Sequence, residues 1–246
     1  MDRLIYTAMT GAKHILEQQA TVSHNLANAS TTGFRAQIDA FRAVPVQSEG
    51  LPTRAFVVDS TVGSDFAPGP LQQTGRELDV ALQGAGWLAV QLEDGSEAYT
   101  RHGNLKVSEN GLLQTQNGLQ VLGDGGPISI PPDVTVAIAR DGTVSAVPTT
   151  NDRNAVNVLG RIKLVNPPPE TLVRGDDGLF RLKGGGEAEA DADVSVAGGM
   201  LEGSNVNVVD AMVNMISLAR QFELHMKLIQ NAETNANKAA QLLALS

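Results

Sequence analysis

The spacing of apolar side chains changes twice along the chain and divides it into helix, strands and helix. Near the start, Leu4, Ala8, Ala12, Ile15, Gln19, Val22, Leu26 and Ala29 recur in steps of four and three. That spacing lays them along one stripe of a helix. Gly11 weakens the helix, and Ser30-Thr31-Thr32-Gly33 ends it, with Gly33 suited to a positive φ. At the other end, Val208, Met212, Met215, Ala219, Phe222, Met226, Ile229, Glu233, Ala236, Ala240 and Leu243 step by four and three without a slip. This is an a/d heptad pattern, and Glu233 is its single polar member. Asn207 precedes the run and Asp210 follows three residues on, a variant of the capping box. A helix over 208–243 would be roughly 54 Å long at 1.5 Å per residue.

Between these ends the period drops to two. Leu78, Val80 and Leu82 alternate with Asp79, Ala81 and Gln83, and the pattern returns in Leu88-Val90-Leu92, Val134-Val136-Ile138 and Ile162-Leu164. Asn110-Gly111, Asn117-Gly118, Asp141-Gly142 and Asp177-Gly178 punctuate it with residues that tolerate tight hairpin turns. Many short strands without alternating helices indicate an antiparallel sandwich or barrel and exclude a parallel α/β sheet. Residues 34–77 carry Pro45, Pro52, Pro68 and Pro70 and read as an extended connector, with Phe56-Val57-Val58 a strand-like run inside it. The expected fold is mixed α and β. A discontinuous helical-coil domain comes from both termini (1–33 and 201–246), with a mainly antiparallel β-domain over 78–200 inserted between them. The acidic stretch Glu187-Ala188-Glu189-Ala190-Asp191-Ala192-Asp193 behind three glycines reads as a solvated loop rather than a metal site.

Two apolar stripes at opposite ends need a partner, and the simplest is each other, in an antiparallel pair. Such a pair leaves further apolar positions, such as Ile5, Leu218 and Leu228, facing outward. Exposed apolar strips mark contact surfaces. An isolated helix is marginal in water, so the ends are expected to be loosely ordered until neighbours supply more surface. The candidate assembly residues are Leu4, Ala8, Ile15, Val22 and Leu26 at one end. At the other they are Val208, Met212, Met215, Phe222, Met226, Ile229 and Leu243.

Composition narrows the partners. The net charge of −9 disfavours phosphate backbones and anionic membrane surfaces. Aromatic residues are only 4% of the chain, too few for a base- or sugar-stacking platform. No cysteine is present, which removes thiol catalysis, disulfides and thiolate metal sites. His14, His24, His102 and His225 lack metal-ligand spacing, and no serine sits in a G-x-S-x-G elbow. Gly84-Ala85-Gly86 is a fragment of a dinucleotide loop, but strand-like residues follow it instead of a helix. No catalytic, metal or cofactor site is therefore expected. Met1-Asp2-Arg3-Leu4-Ile5-Tyr6 lacks the basic and apolar regions of a signal peptide, and no stretch reaches the ~18 apolar residues of a membrane span.

Asn25-Leu26-Ala27-Asn28-Ala29-Ser30-Thr31-Thr32-Gly33-Phe34-Arg35, with Asn25, Leu26, Ala27, Asn28, Thr31, Gly33 and Phe34 as motif residues, resembles the NLAN-x-x-T-x-G-F-[KR] signature of the flagellar basal-body rod protein family, most closely the FlgF type of the proximal rod. Leu78-Asp79-Val80-Ala81-Leu82-Gln83-Gly84 with Gly86-Trp87-Leu88-Ala89-Val90 is similar to its LDVAIQG-x-GFF-x-V strand pair. Tyr99-Thr100-Arg101 with Gly103-Asn104 resembles its YTR-x-G-x-F hairpin, and Leu201-Glu202-Gly203-Ser204-Asn205-Val206-Asn207 its LE-x-SNV-[DN] lead-in. His24, Trp87 and Leu105 depart from the usual residues, which bears on subtype and not on family.

The resemblance implies a structural subunit, exported unfolded through the flagellar type III apparatus without a cleaved leader. It would lie in the periplasmic rod, with its terminal helices in the inner tube and its β-domain outside. The implied partners are further copies, proximal-rod neighbours and the distal-rod protein, with no nucleic acid and no membrane insertion. Asn25 and Asn28 are short polar groups suited to free carbonyls at a helix end, Gly33 permits the turn and Phe34 anchors the connector. The competing readings are a distal-rod or hook-type axial protein and, in another class, a secreted β-rich binding module or enzyme.

Overall fold

Two long helices, α1 (Asp2–Ala27) and α2 (Val208–Ala244), form at the two ends of the chain. The computed structural model describes residues 2–45, 55–148 and 156–244. The strands between the helices are β1 (Gln37–Pro45), β2 (Ala55–Ser64), β3 (Leu71–Gln73), β4 (Val80–Gln83), β5 (Trp87–Gln91) and β6 (Glu97–Thr100). They continue as β7 (Leu105–Val107), β8 (Leu113–Thr115), β9 (Gln120–Gly123), β10 (Gly126–Pro127), β11 (Val134–Ile138) and β12 (Thr143–Pro148). The last are β13 (Asn157–Arg161), β14 (Leu164–Val165), β15 (Leu172–Arg174), β16 (Phe180–Leu182), β17 (Ser195–Gly198) and β18 (Met200–Glu202). Every paired strand is antiparallel among the described residues.

The chain divides into two compact units. One joins residues 1–29, 36–65 and 206–246, and the other joins 30–35 with 66–205. The helical unit holds α1, α2 and the β1–β2 hairpin. Asn207 opens α2: its Oδ1 accepts from the backbone N–H groups of Val209 at 3.0 Å and Asp210 at 3.4 Å. These donors have no partner within the first turn, so the cap supplies one. Gly33 N–H donates to the Glu202 carbonyl at 2.8 Å, which brings the exit of α1 and the entry of α2 within a few residues of each other. The pair therefore runs antiparallel.

The seam between the helices differs from the expected one. On α1, Ala8, Ala12 and Ile15 are buried and Val22 and Leu26 half-buried, the stripe that the spacing indicates, while Ile5, expected to face outward, is half-buried. On α2 the covered stripe is Ala211, Met215, Leu218, Phe222, His225, Ile229, Ala232 and Ala236, again in steps of four and three. It shares Met215, Phe222, Ile229 and Ala236 with the expected stripe. Val208, Met212 and Met226 lie outside it and face solvent, and Leu218, expected to face outward, is buried. Two overlapping heptad stripes run along α2. Packing against α1 buries Ala211, Leu218 and Ala232 of the second stripe, while Ala219 of the first is half-buried. The side chains of Leu4 and Leu243 lie outside the described residues.

The terminal segments are helical in the single chain, against the expectation of loose ends. The β1–β2 hairpin adds to the packing of α1, a contribution the periodicity of the helices alone does not reveal. His14 meets Phe41 edge to face at 5.6 Å between ring centres, and the Thr21 hydroxyl donates to Asp39 at 2.9 Å. The stretch read as an extended connector thus holds two paired strands, with a register shift between Ala40 and Phe41.

In the β unit, β5 is central, flanked by β6 and β9, and the sheet runs β15-β16-β6-β5-β9-β8-β7. Its two faces feed two cores, as alternation requires. Leu88 and Val90 join Val80, Leu105, Leu113, Val121, Val144 and Ile162, while Trp87 and Ala89 join Tyr99, Val165 and Phe180. The expected turns are present, with Gly111, Gly118, Gly142 and Gly178 all at positive φ. The acidic stretch is more ordered than a solvated loop. Ala190 bridges to Val165, Asp191 N–H donates to the Leu164 carbonyl at 2.8 Å, and Ala188 N–H to the Tyr99 hydroxyl at 2.7 Å.

Candidate assembly surface and chain junction

Apolar side chains that the helix pair does not cover gather on both helices. On α1 they are Tyr6, Met9 and Leu16. On α2 they are Val208, Val209, Met212, Val213 and Ile216 over the first turns, with Val209 67% and Ile216 56% exposed, followed by Leu224, Met226 and Leu228. The five from Val208 to Ile216 gather on one side of the helix, the arrangement that marks a contact surface. No helix among the described residues is long and apolar enough to cross a membrane.

The expected assembly residues therefore fall into two groups. Ala8 and Ile15 are buried inside the helix pair, and Val22, Leu26, Met215, Phe222 and Ile229 are half-covered there. Val208, Met212 and Met226 are exposed. His225 packs on Gly11, where an added Cβ would sit 2.5 Å from the imidazole Cε1. The apparent weak point of α1 is thus a socket for a ring from α2.

The motif residues sit around the end of α1. Asn25 grips the first residue of β1 with both side-chain atoms: its amide donates to the Gln37 carbonyl at 2.9 Å, and its Oδ1 accepts from Gln37 N–H at 2.8 Å. It replaces a strand partner instead of capping the helix. The Asn28 side-chain amide donates to the His24 carbonyl at 3.0 Å, a carbonyl that also accepts from Asn28 N–H at 3.2 Å. Leu26 is half-buried and Ala27 exposed. The Thr31 carbonyl accepts from Phe34 N–H at 3.3 Å, closing the turn in which Gly33 has φ 69°. A Cβ on Gly33 would lie 2.4 Å from the Arg101 backbone. Phe34 is buried, with the Arg174 guanidinium 4.5 Å from its ring centre.

Beside this turn lies a buried ionic cluster that the spacing of residues does not announce. The Glu202 side chain is 1% exposed. Its Oε1 accepts from Arg35 at 2.8 Å and from Gly69 N–H at 2.9 Å, and its Oε2 from Arg101 at 2.8 Å. Arg35 also donates to the Ala67 carbonyl at 2.8 Å, and Arg101 to the Gly84 carbonyl at 2.5 Å. Asn205 donates through its side chain to Ala67 at 3.1 Å, and Gly203 N–H donates to the Pro70 carbonyl at 2.8 Å. Arg35, Arg101 and Glu202 all lie within the family-like motifs, but nothing in their spacing links residues so far apart in the chain. The signal in the sequence is Arg35 and Glu202, each charge set between apolar or small neighbours.

Among the described residues no group of three His, Asp or Glu side chains is placed to hold a metal. The Tyr99 phenol is raised to about 12 by burial and by the nearby Glu97 charge, against the opposing bond from Ala188. It is a core phenol.

Comparison with known proteins identifies the assembly. Residues 5–35 match the family model described as flagella basal body rod protein. Residues 81–146 match the flagellar hook protein FlgE/F/G D1 domain, and 197–242 the flagellar basal body rod FlgEFG protein C-terminal region. The flagellar basal-body rod protein FlgF of Escherichia coli (strain K12) is 50% identical over 252 aligned residues covering 100% of both chains. The chain belongs to the flagellar basal-body rod protein family. FlgF of Caulobacter vibrioides is 33% identical over 99% of this chain and 98% of its own. FlgG of Buchnera aphidicola subsp. Schizaphis graminum is 30% identical over 90% of this chain and 92% of its own. The higher full-length identity to FlgF places the chain with that type, the proximal-rod subunits. This rod protein is a structural subunit and not an enzyme.

Proposed function

We propose that this rod protein polymerises through the apolar surface that its own helix pair leaves uncovered. The observation that carries the reading is the exposed strip Val209, Met212, Val213 and Ile216 on α2, with Tyr6, Met9 and Leu16 on α1. Burying such side chains against a neighbour contributes about 1.5–3 kcal/mol each before ordering costs. The seam residues Ala8, Ile15, Val22, Leu26, Met215, Phe222 and Ile229 act indirectly, by shaping the pair that presents the strip. Its partners are further copies, proximal-rod neighbours and the distal-rod protein. Its route is export in an unfolded state through the flagellar type III apparatus into the periplasmic rod.

The test is deletion of the gene followed by electron microscopy of purified basal bodies. Particles that stop near the inner-membrane ring, in non-motile cells, are the expected result. Complete hook-bearing basal bodies would overturn the reading.

A further inference from the structure

We propose that Glu202 is a positioning residue for the rod's mechanical work: it fastens the β-unit segments at which the chain enters and leaves that unit into one stiff joint within the unit, which carries the load that reaches it along the chain. This rests on the rod function above.

The chain passes between the two units near residues 29–36, 65–66 and 205–206. The β-unit segments at these crossings converge on Glu202 or its neighbours. The Glu202 carbonyl accepts from Gly33 N–H at 2.8 Å, and its carboxylate takes Arg35 at 2.8 Å, both on the first segment. The same carboxylate takes Gly69 N–H at 2.9 Å on the second. Glu202 itself lies at the start of the third, where Asn205 N–H donates to the Phe34 carbonyl at 3.4 Å and the Asn205 side chain to Ala67 at 3.1 Å. Arg101, on the turn after β6, ties the other carboxylate oxygen to the sheet at 2.8 Å. Arg174, from β15, donates to the Arg35 carbonyl at 2.7 Å.

The packing leaves no slack. A Cβ on Gly69 would fall 2.1 Å from the Gly203 carbonyl oxygen, and one on Gly33 2.5 Å from the Arg101 carbonyl oxygen. Backbones this close can slide only if the whole cluster opens. Charge-assisted bonds to a buried carboxylate make that opening costly. A core that needed only stability would be served as well by apolar side chains. A cluster that bonds every crossing segment to a single side chain instead fixes their mutual positions.

The experiment compares Glu202→Asp with a control, Glu97→Asp, in the full-length protein. Glu202→Asp keeps the charge but shortens the reach to three donors. Glu97 is a similarly buried carboxylate of the same unit, paired with Lys163 at 2.6 Å and remote from the crossings in sequence. The readouts are amide hydrogen exchange at Gly33, Gly69 and Gly203, and motility of complemented null cells in dilute and viscous medium. In Glu202→Asp, exchange at Gly69, whose N–H donates to the carboxylate, should rise about ten- to hundredfold, the loss expected for a bond to a charged group, and exchange at Gly33 and Gly203, bonded to backbone carbonyls beside it, should rise with it. Its cells should build rods but slow disproportionately under viscous load, while Glu97→Asp cells do not.

Unchanged exchange, or equal slowing in both variants at matched thermal stability, would overturn the proposal. If Glu202→Asp does not fold, Arg35→Lys carries the same comparison, because lysine keeps the charge without spanning Ala67 and Glu202 together. The exchange readout is independent of the rod. If it rises while null cells swim normally, the rod function falls and the joint stands; unchanged exchange with non-motile null cells is the converse.

Discussion

Gly69 shows how far one side chain decides this structure. Its missing Cβ leaves room for the Gly203 carbonyl, a backbone atom that has no rotamer with which to yield. Gly69→Ala should therefore destabilise the β unit by about 3 kcal/mol or more, measurable as a lower denaturant midpoint. Tyr99 gives a second prediction. Its folded titration point of about 12 lies above the value near 10 of an unfolded tyrosine. The resulting stability is fully present below pH ~10 and is lost as pH rises through about 12. Tyr99→Phe should flatten the alkaline fall in stability over that window. At neutral pH it should lower stability by about 1 kcal/mol, because Ala188 N–H loses its acceptor. Residue-level legibility depends on the range of the interaction. The positive φ of Gly33 and the Asn207 cap are local and visible in the sequence. The Glu202 cluster joins residues more than a hundred positions apart, so no local pattern announces it.

The helices illustrate what periodicity can and cannot decide. Heptad spacing locates α2 within a residue at either end but carries two adjacent stripes, and only packing against α1 selects between them. The choice changes which substitutions test assembly. Asp at Met215 or Phe222 would damage the pair itself, since both are half-buried in the seam. Val213→Asp with Ile216→Asp should leave the lone protein's helicity within about 0.5 kcal/mol of wild type and abolish incorporation into rods. Leu218→Asp should cost about 3 kcal/mol or more and lower helicity even in the isolated chain. Circular dichroism separates the two classes. Gly11 and His225 give a finer test by double-mutant cycle. Gly11→Ala should be destabilising while the imidazole is present and stabilising by up to about 1 kcal/mol in a His225→Ala background, where only helix propensity remains. The β1–β2 hairpin was the least legible element, because prolines flank it and its strands pair across a long connection.

For the molecule as a whole, the division into two units matters more than the order of segments suggests. The helical unit draws on three separate stretches of chain, and the β unit on two. A fragment spanning 30–205 should keep the native β circular dichroism signal, since it holds every residue of that unit. Loss of that signal would show that the β unit depends on the helices. The mixed architecture with a discontinuous helical part was readable because both terminal stripes and the period-two middle are continuous patterns. The crossings between the two units, near residues 29–36, 65–66 and 205–206, carry no such continuous pattern.

Trp87 lies buried in the β unit, 4.5 Å from the Phe180 ring and beneath the Arg101 guanidinium at 5.6 Å. The chain contains no other tryptophan. Its emission is therefore an optical channel for the β unit and the Arg101 side of the joint, to which the helices contribute nothing. Far-ultraviolet ellipticity near 222 nm, by contrast, is dominated by α1 and α2. Recording both signals during a single titration would resolve the two units without any label. A substitution that loosens Glu202's hold on Arg101 would then announce itself as a change in emission colour while the helical signal stayed still.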